Sequence, residues 1–178
     1  MAKKGAHRTI CVYADWVSLG QPTLLMGLLY STLLRGKEIF SFEYDDAWLK
    51  SRSSQALDPD LGFFSGIQYL NDEKPNFGIF LDSSPDRWGR TLMDRREAAA
   101  ARSEGRQPKD LFETDYLLGV YDGHRMGAIR FKDSLDGPFL NSNTSTATPP
   151  CTSIRELEHA SLKLEEDSGD DAENLKWI

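Results

Sequence analysis

The stretch Asp82-Ser83-Ser84-Pro85-Asp86-Arg87-Trp88-Gly89-Arg90 sets a tryptophan between two arginines at the start of a helical pattern. Exposed aromatic and guanidinium groups dominate the energetics of protein interfaces, so this mix suits recognition of a partner. The ordinary alternative is a capped helix whose Trp88 packs inward, because tryptophan is mostly buried, with Arg87 and Arg90 in surface ion pairs. Both readings stand on the residues alone, and Asp86, Arg87, Trp88 and Arg90 are the candidate contact residues. Six arginines lie from Arg87 to Arg106 against three acids, Asp94, Glu97 and Glu104. That mild basic stripe suits an acidic partner and is weak for nucleic acid.

Other residue types that carry chemistry are scattered. His7, His124 and His159 lie far apart without ligand spacing. His124 sits near Asp122 in a turn, but no nucleophile accompanies it, so it reads as a solvated turn histidine. Asp45-Asp46 reads as helix capping, and residues 165–171 lack the spacing of a calcium loop. Neither GxGxxG nor GxxxxGK[ST] occurs, so a cradle of backbone N–H groups for phosphate is not expected. The two cysteines, Cys11 and Cys151, have no CxxC spacing, which argues for a reducing compartment and against a metal site. No catalytic, cofactor-binding or metal-ligating residue is expected.

The chain has 178 residues, 39% hydrophobic and 28% charged, with a net charge of −7. This makeup fits one sizeable core plus an appendage and excludes collagen, a disulfide scaffold and a wholly disordered chain. The acidic balance argues against bulk nucleic-acid binding. From Cys151 onward eight acids face three bases, so the excess negative charge concentrates in the tail. No secretory signal and no apolar run of membrane-spanning length is evident, which points to a cytoplasmic protein.

The elements that would position the candidate residues follow from periodicity. Residues 8–16 alternate, with Ile10, Val12, Ala14 and Trp16 on one face. Residues 38–44 do the same with Phe40, Phe42 and Tyr44. Residues 23–31 are ambiguous but lie between strands, and the three segments form an antiparallel meander. Residues 45–49 suggest one capped helical turn, 57–70 a loop, and 76–81 a short helix. Ser84 is the expected N-cap of a helix reaching Arg102, with Pro85 in its first turn and Trp88, Leu92 and Met93 as its apolar stripe. Residues 108–120 suggest a further helix, 122–123 a turn and 126–131 a closing strand. The fold class expected is α+β: an antiparallel sheet packed by helices, followed by a flexible linker and a C-terminal helix. The division is a domain at 8–132, a Ser/Thr/Pro-rich linker at 133–150 and an acidic helical segment at 151–178, whose apolar face is Ile154, Leu157, Ala160 and Leu164.

Several segments resemble the N-terminal subdomain of HipA-type proteins. They are Val12-Tyr13-Ala14-Asp15-Trp16, Glu38-Ile39-Phe40-Ser41-Phe42-Glu43-Tyr44 with Trp48-Leu49 after it, Leu57-Asp58-Pro59, and Phe80-Leu81-Asp82-Ser83-Ser84-Pro85-Asp86-Arg87-Trp88-Gly89-Arg90. Asp115-Tyr116-Leu117-Leu118-Gly119-Val120 and Arg125-Met126-Gly127-Ala128-Ile129-Arg130-Phe131 extend the likeness, which covers about residues 8 to 132 in order. HipA proteins are serine/threonine protein kinases and toxins of bacterial toxin–antitoxin pairs. The resemblance implies a β-rich accessory subdomain ahead of a kinase core, and a helix-turn-helix antitoxin of the HipB type as partner. The family's phosphate-binding loop, ATP-contacting lysine, catalytic aspartate and magnesium-binding aspartate have no counterpart here. ATP and magnesium are therefore expected only with the missing kinase core, and the chain alone is expected not to be an enzyme, because phosphoryl transfer needs those groups positioned together. The alternative is a stand-alone binding protein that inhibits a separate HipA-like kinase in trans. Neither reading has the chain contact nucleic acid or a membrane directly.

Overall fold

The computed structural model describes residues 7–16, 23–71 and 73–143, with Arg155, Glu158 and Leu162 as single positions. The tail expectations at Cys151, Ile154, Leu157, Ala160 and Leu164, and residues 144–150 of the linker, lie outside the described residues.

Alternating apolar residues in β1 (His7–Ala14) and β3 (Lys37–Tyr44), with the more continuous apolar run of β2 (Leu24–Leu34) between them, form the three strands of a meander. A two-residue turn joins β2 to β3, with Arg35 at φ 53° and Gly36 at φ 82°. Both residues in the left-handed region give a turn whose twist matches that of the strands it joins. A short strand β4 (Gln68–Tyr69) pairs with β3, and β5 (Ile129–Lys132) pairs with β1. The resulting antiparallel sheet has the order β4-β3-β2-β1-β5. β4 falls inside the stretch expected to be loop, because two paired residues are too few to make a period. The closing strand begins at Ile129, later than Met126.

Four helices accompany the sheet: α1 (Asp46–Lys50), α2 (Gly78–Asp82), α3 (Arg87–Ser103) and α4 (Glu113–Gly119). One sheet face, carrying Ile10, Val12, Phe40, Phe42 and Phe131, is buried together with Trp48 of α1, Phe80 of α2 and Leu117 of α4. Phe80 is the hub, with its ring centroid 5.7 Å from that of Phe42 and 6.2 Å from that of Phe131. The fold is thus α+β, an antiparallel sheet packed by helices, as the periodicity implies.

Helices of five or seven residues cannot sustain themselves in water, and their unpaired backbone groups need partners. Those partners come from distant charged side chains. Asp58 is buried; its Oδ2 accepts from the Ile79 N–H at 2.7 Å in α2, and its Oδ1 accepts from the Asp60 N–H. The Glu38 carboxylate on β3 accepts from the Thr114 N–H at 2.9 Å at the start of α4, from the Thr114 hydroxyl and from the Ser31 hydroxyl. At the opposite ends stands Arg125, only 9% exposed. Its Nη1 donates to Ser83 O after α2 and to Leu117 O of α4, while Nη2 donates to Val120 O and Leu140 O. Its guanidinium also lies 4.7 Å from the centre of the Phe131 ring. Burial brings the Arg125 pKa down to about 10, still far above neutral, so it remains a cation.

The segment 133–143, grouped by composition with the linker, is held to the sheet. Leu140 N–H donates to Phe131 O at 2.8 Å, and Asp122 N–H donates to Asn141 O at 2.8 Å. The Phe139 ring packs edge-on against Tyr13 at 5.4 Å and lies 3.7 Å from the Arg130 guanidinium. Two apolar residues in a polar stretch, Phe139 and Leu140, supply this anchorage.

Replacing Arg125 by Met should destabilise the protein by about 3 kcal/mol or more, since four carbonyls lose their donors in a buried site. Urea unfolding would measure it, and Arg125→Lys should recover only part, because one ammonium cannot span the four acceptors.

Candidate interaction surface at the junction of helices α2 and α3

The junction is built by a stop and a restart. The Ser84 hydroxyl donates to Phe80 O at 2.8 Å and so closes α2. The N-cap of α3 is Asp86, not Ser84: Asp86 has extended backbone, and its Oδ1 accepts from the Gly89 N–H at 2.8 Å. Pro85 consequently precedes the cap instead of occupying the first helical turn. A Cβ at Gly89 would come within 2.7 Å of Pro85 Cβ, so glycine there lets the proline fold against the first turn.

The four candidate residues then separate. Asp86 is spent on the cap. Arg90 donates through Nη1 and Nη2 to Glu113 of α4 at 2.5 and 2.8 Å, and through Nε to Pro85 O. Its guanidinium also lies 4.8 Å from the Tyr116 ring centre. The Glu113 hydrogen bonds push the Arg90 pKa up, and this residue joins α3 to α4. Arg87 is exposed and forms no ion pair among the described residues. Trp88 is 41% exposed, whereas Trp48 is 2% exposed. The inward reading of Trp88 is therefore overturned: Leu92 and Ala101 take the buried positions of α3, and Trp88, one turn before Leu92, does not.

Met126 adds to this end of the molecule. Its neighbour Arg125 bonds Ser83 O, and a Cβ at Gly127 would lie 3.4 Å from Ser83 Oγ. Met126 itself is 78% exposed. Trp, Arg and Met thus flank one junction, and these are residue types enriched at the centres of protein interfaces. Nothing in the sequence pattern ties Met126 to this junction; Arg125 does so through the fold.

The rest of the basic stripe is largely engaged. Arg106 donates to both oxygens of Glu97 and to Glu104, and Glu97 also accepts from the Lys109 N–H at 2.9 Å. These bonds hold the Glu97 carboxyl down at about 2. The Arg96 pKa is lowered by burial. The Tyr116 hydroxyl donates to Asp94 at 2.7 Å, and burial together with that bond pushes the tyrosine up to about 12. Elsewhere His124 lies in a 3₁₀ turn against Tyr121, and exposed His7 stacks on Tyr30. His159 lies outside the described residues. No three His, Cys, Asp or Glu side chains gather to hold a cation among the described residues, and no described helix is long and apolar enough to cross a membrane.

The depressed Glu97 value fixes a pH dependence. A carboxyl whose folded pKa lies below its unfolded value contributes stability above the unfolded value, and that contribution is lost as pH falls through the folded one. The stability gap between the protein and Glu97→Gln should therefore be largest near neutrality. It should shrink between about 4.5 and about 2, as followed by thermal melts across that range.

No family model matches the chain, and neither a curated protein nor a solved structure matches it.

Proposed function

We propose that the chain is the non-catalytic accessory subdomain of a HipA-like serine/threonine kinase toxin, and that it contacts the kinase core through the α2–α3 junction. The observation that carries this reading is the exposed Trp88 beside exposed Arg87, inside one of the stretches that resemble the family. A large aromatic held outward on a helix bonded to its neighbour presents contact area at little cost in side-chain entropy. On this reading ATP and magnesium belong to the kinase core, and a helix-turn-helix antitoxin is the further partner.

One observation favours the second reading, a separate binding protein that inhibits such a kinase in trans. Leu140 pairs with Phe131, and Phe139 covers Tyr13, so residues 133–143 cover part of the second sheet face and of the β5 edge without help from another domain. A body that buries its own core in this way can act as a detached partner.

Trp88→Ala should change unfolding stability by less than about 1 kcal/mol, as expected for a half-exposed side chain. It should weaken binding to a purified HipA-like kinase core at least about tenfold by calorimetry, the scale of a hot-spot truncation. A variant that unfolds, or one that binds unchanged, would remove this surface from the proposal. The chain alone, incubated with radiolabelled ATP and a protein substrate, should transfer no phosphate, and transfer would overturn the accessory role.

A further inference from the structure

A second surface lies on the opposite sheet face. A groove of about 360 Å³ opens beside the start of α1, with Leu25 and Leu28 of β2 on its floor and Leu135 as a wall. Leu135 is 56% exposed, and its carbonyl accepts from Lys132 Nζ at 3.3 Å. Glu43, Asp45 and Asp46 line the same groove, and no lysine or arginine lines it among the described residues.

These acids differ from others of the molecule. Glu97, Glu113, Asp122 and Asp133 are each paired with an arginine, and Asp60 with Lys74. Glu43 instead accepts from the neutral Tyr30 hydroxyl at 3.2 Å. Asp45 accepts from the Ala47 and Trp48 N–H groups, and Asp46 is exposed in the first turn of α1. None of the three forms an ion pair among the described residues. Three carboxylates without an ion-pair partner among the described residues, over an apolar floor, create a field and a contact surface that suit one kind of occupant, a cationic chain with aliphatic neighbours.

We propose that this groove docks a basic, amphipathic segment of a partner protein, with its lysine or arginine heads at Glu43 and Asp46 and its apolar residues on Leu25, Leu28 and Leu135. The inference does not depend on the role assigned to Trp88.

The test uses the full chain and three fluorescent peptides: one alternating leucine and lysine, one alternating leucine and glutamate, and an oligolysine. Anisotropy should show binding of the leucine–lysine peptide, weakened by salt, with no comparable binding of the other two. Amide shift changes in ¹⁵N spectra should centre on Leu28, Glu43, Asp46 and Leu135. The double variant Glu43→Gln/Asp46→Asn should weaken binding up to about tenfold, the loss expected for two exposed ion pairs. Leu135→Ser, at an exposed position that should leave folding intact, should weaken it as well. Equal binding of oligolysine would reduce the effect to bulk acidity. Equal binding of the leucine–glutamate peptide would remove the role of charge. Shift changes at Trp88 in place of the groove, or no binding at all, would equally overturn the proposal.

Discussion

The fold depends on satisfying the backbone ends of helices too short to stand alone. Arg125 carries the largest share. One planar cation gathers carbonyls from the end of α2, the end of α4 and the strand-like segment at Leu140, and it sits on the Phe131 ring of the sheet. A guanidinium can do this because its donors fan out in one plane, where a lysine offers a single point of charge. Glu38 and Asp58 perform the converse task at the N-terminal ends, where negative charge is favoured. Sheet, helices and closing segment are thereby fixed to one another by ionic side chains as well as by the aromatic core.

That arrangement leaves the molecule with two differently furnished sides. The helix-covered face is filled by Phe40, Phe42, Phe80 and Leu117, and α3 begins with Arg87 and Trp88 exposed. The other face is only partly covered, by Phe139 over Tyr13, and beside that cover lies the acidic groove. One surface offers tryptophan and arginine, the other carboxylates over leucine. The two proposed surfaces differ in chemistry and share no residue.

Much of the fold was legible in the residues, because strand periodicity survives in β3, where Phe40, Phe42 and Tyr44 are buried, and in β1, where Ile10, Val12 and Ala14 mark the core face although Cys11 and Tyr13 between them are buried as well. The capped turn at Asp45 was equally plain, since the N–H donors its carboxylate accepts from lie two and three residues away. What the sequence could not show is long-range satisfaction. Glu38 reads as an ordinary charged residue at a strand end, yet it is in phase with Phe40 and reaches α4. Ser84 and Asp86 are both good caps, and the choice between them was made by Phe80 O, which takes the serine. Trp88 admits both an inward and an outward reading in the sequence, because size and hydrophobicity favour burial on average while its arginine neighbours suit an interface. The four-residue spacing to Leu92 does not reveal that Trp88 stays 41% exposed while Leu92 is buried.

The bond from Glu38 to the start of α4 joins residues 76 positions apart, and Asp58 reaches α2 across 21. The Glu38 bond needs β3 and α4 already side by side, so part of the support of α4 comes only with tertiary structure. The β2–β3 hairpin is the most local pairing of the sheet, so its closure costs less chain entropy than the Glu38 bond to α4.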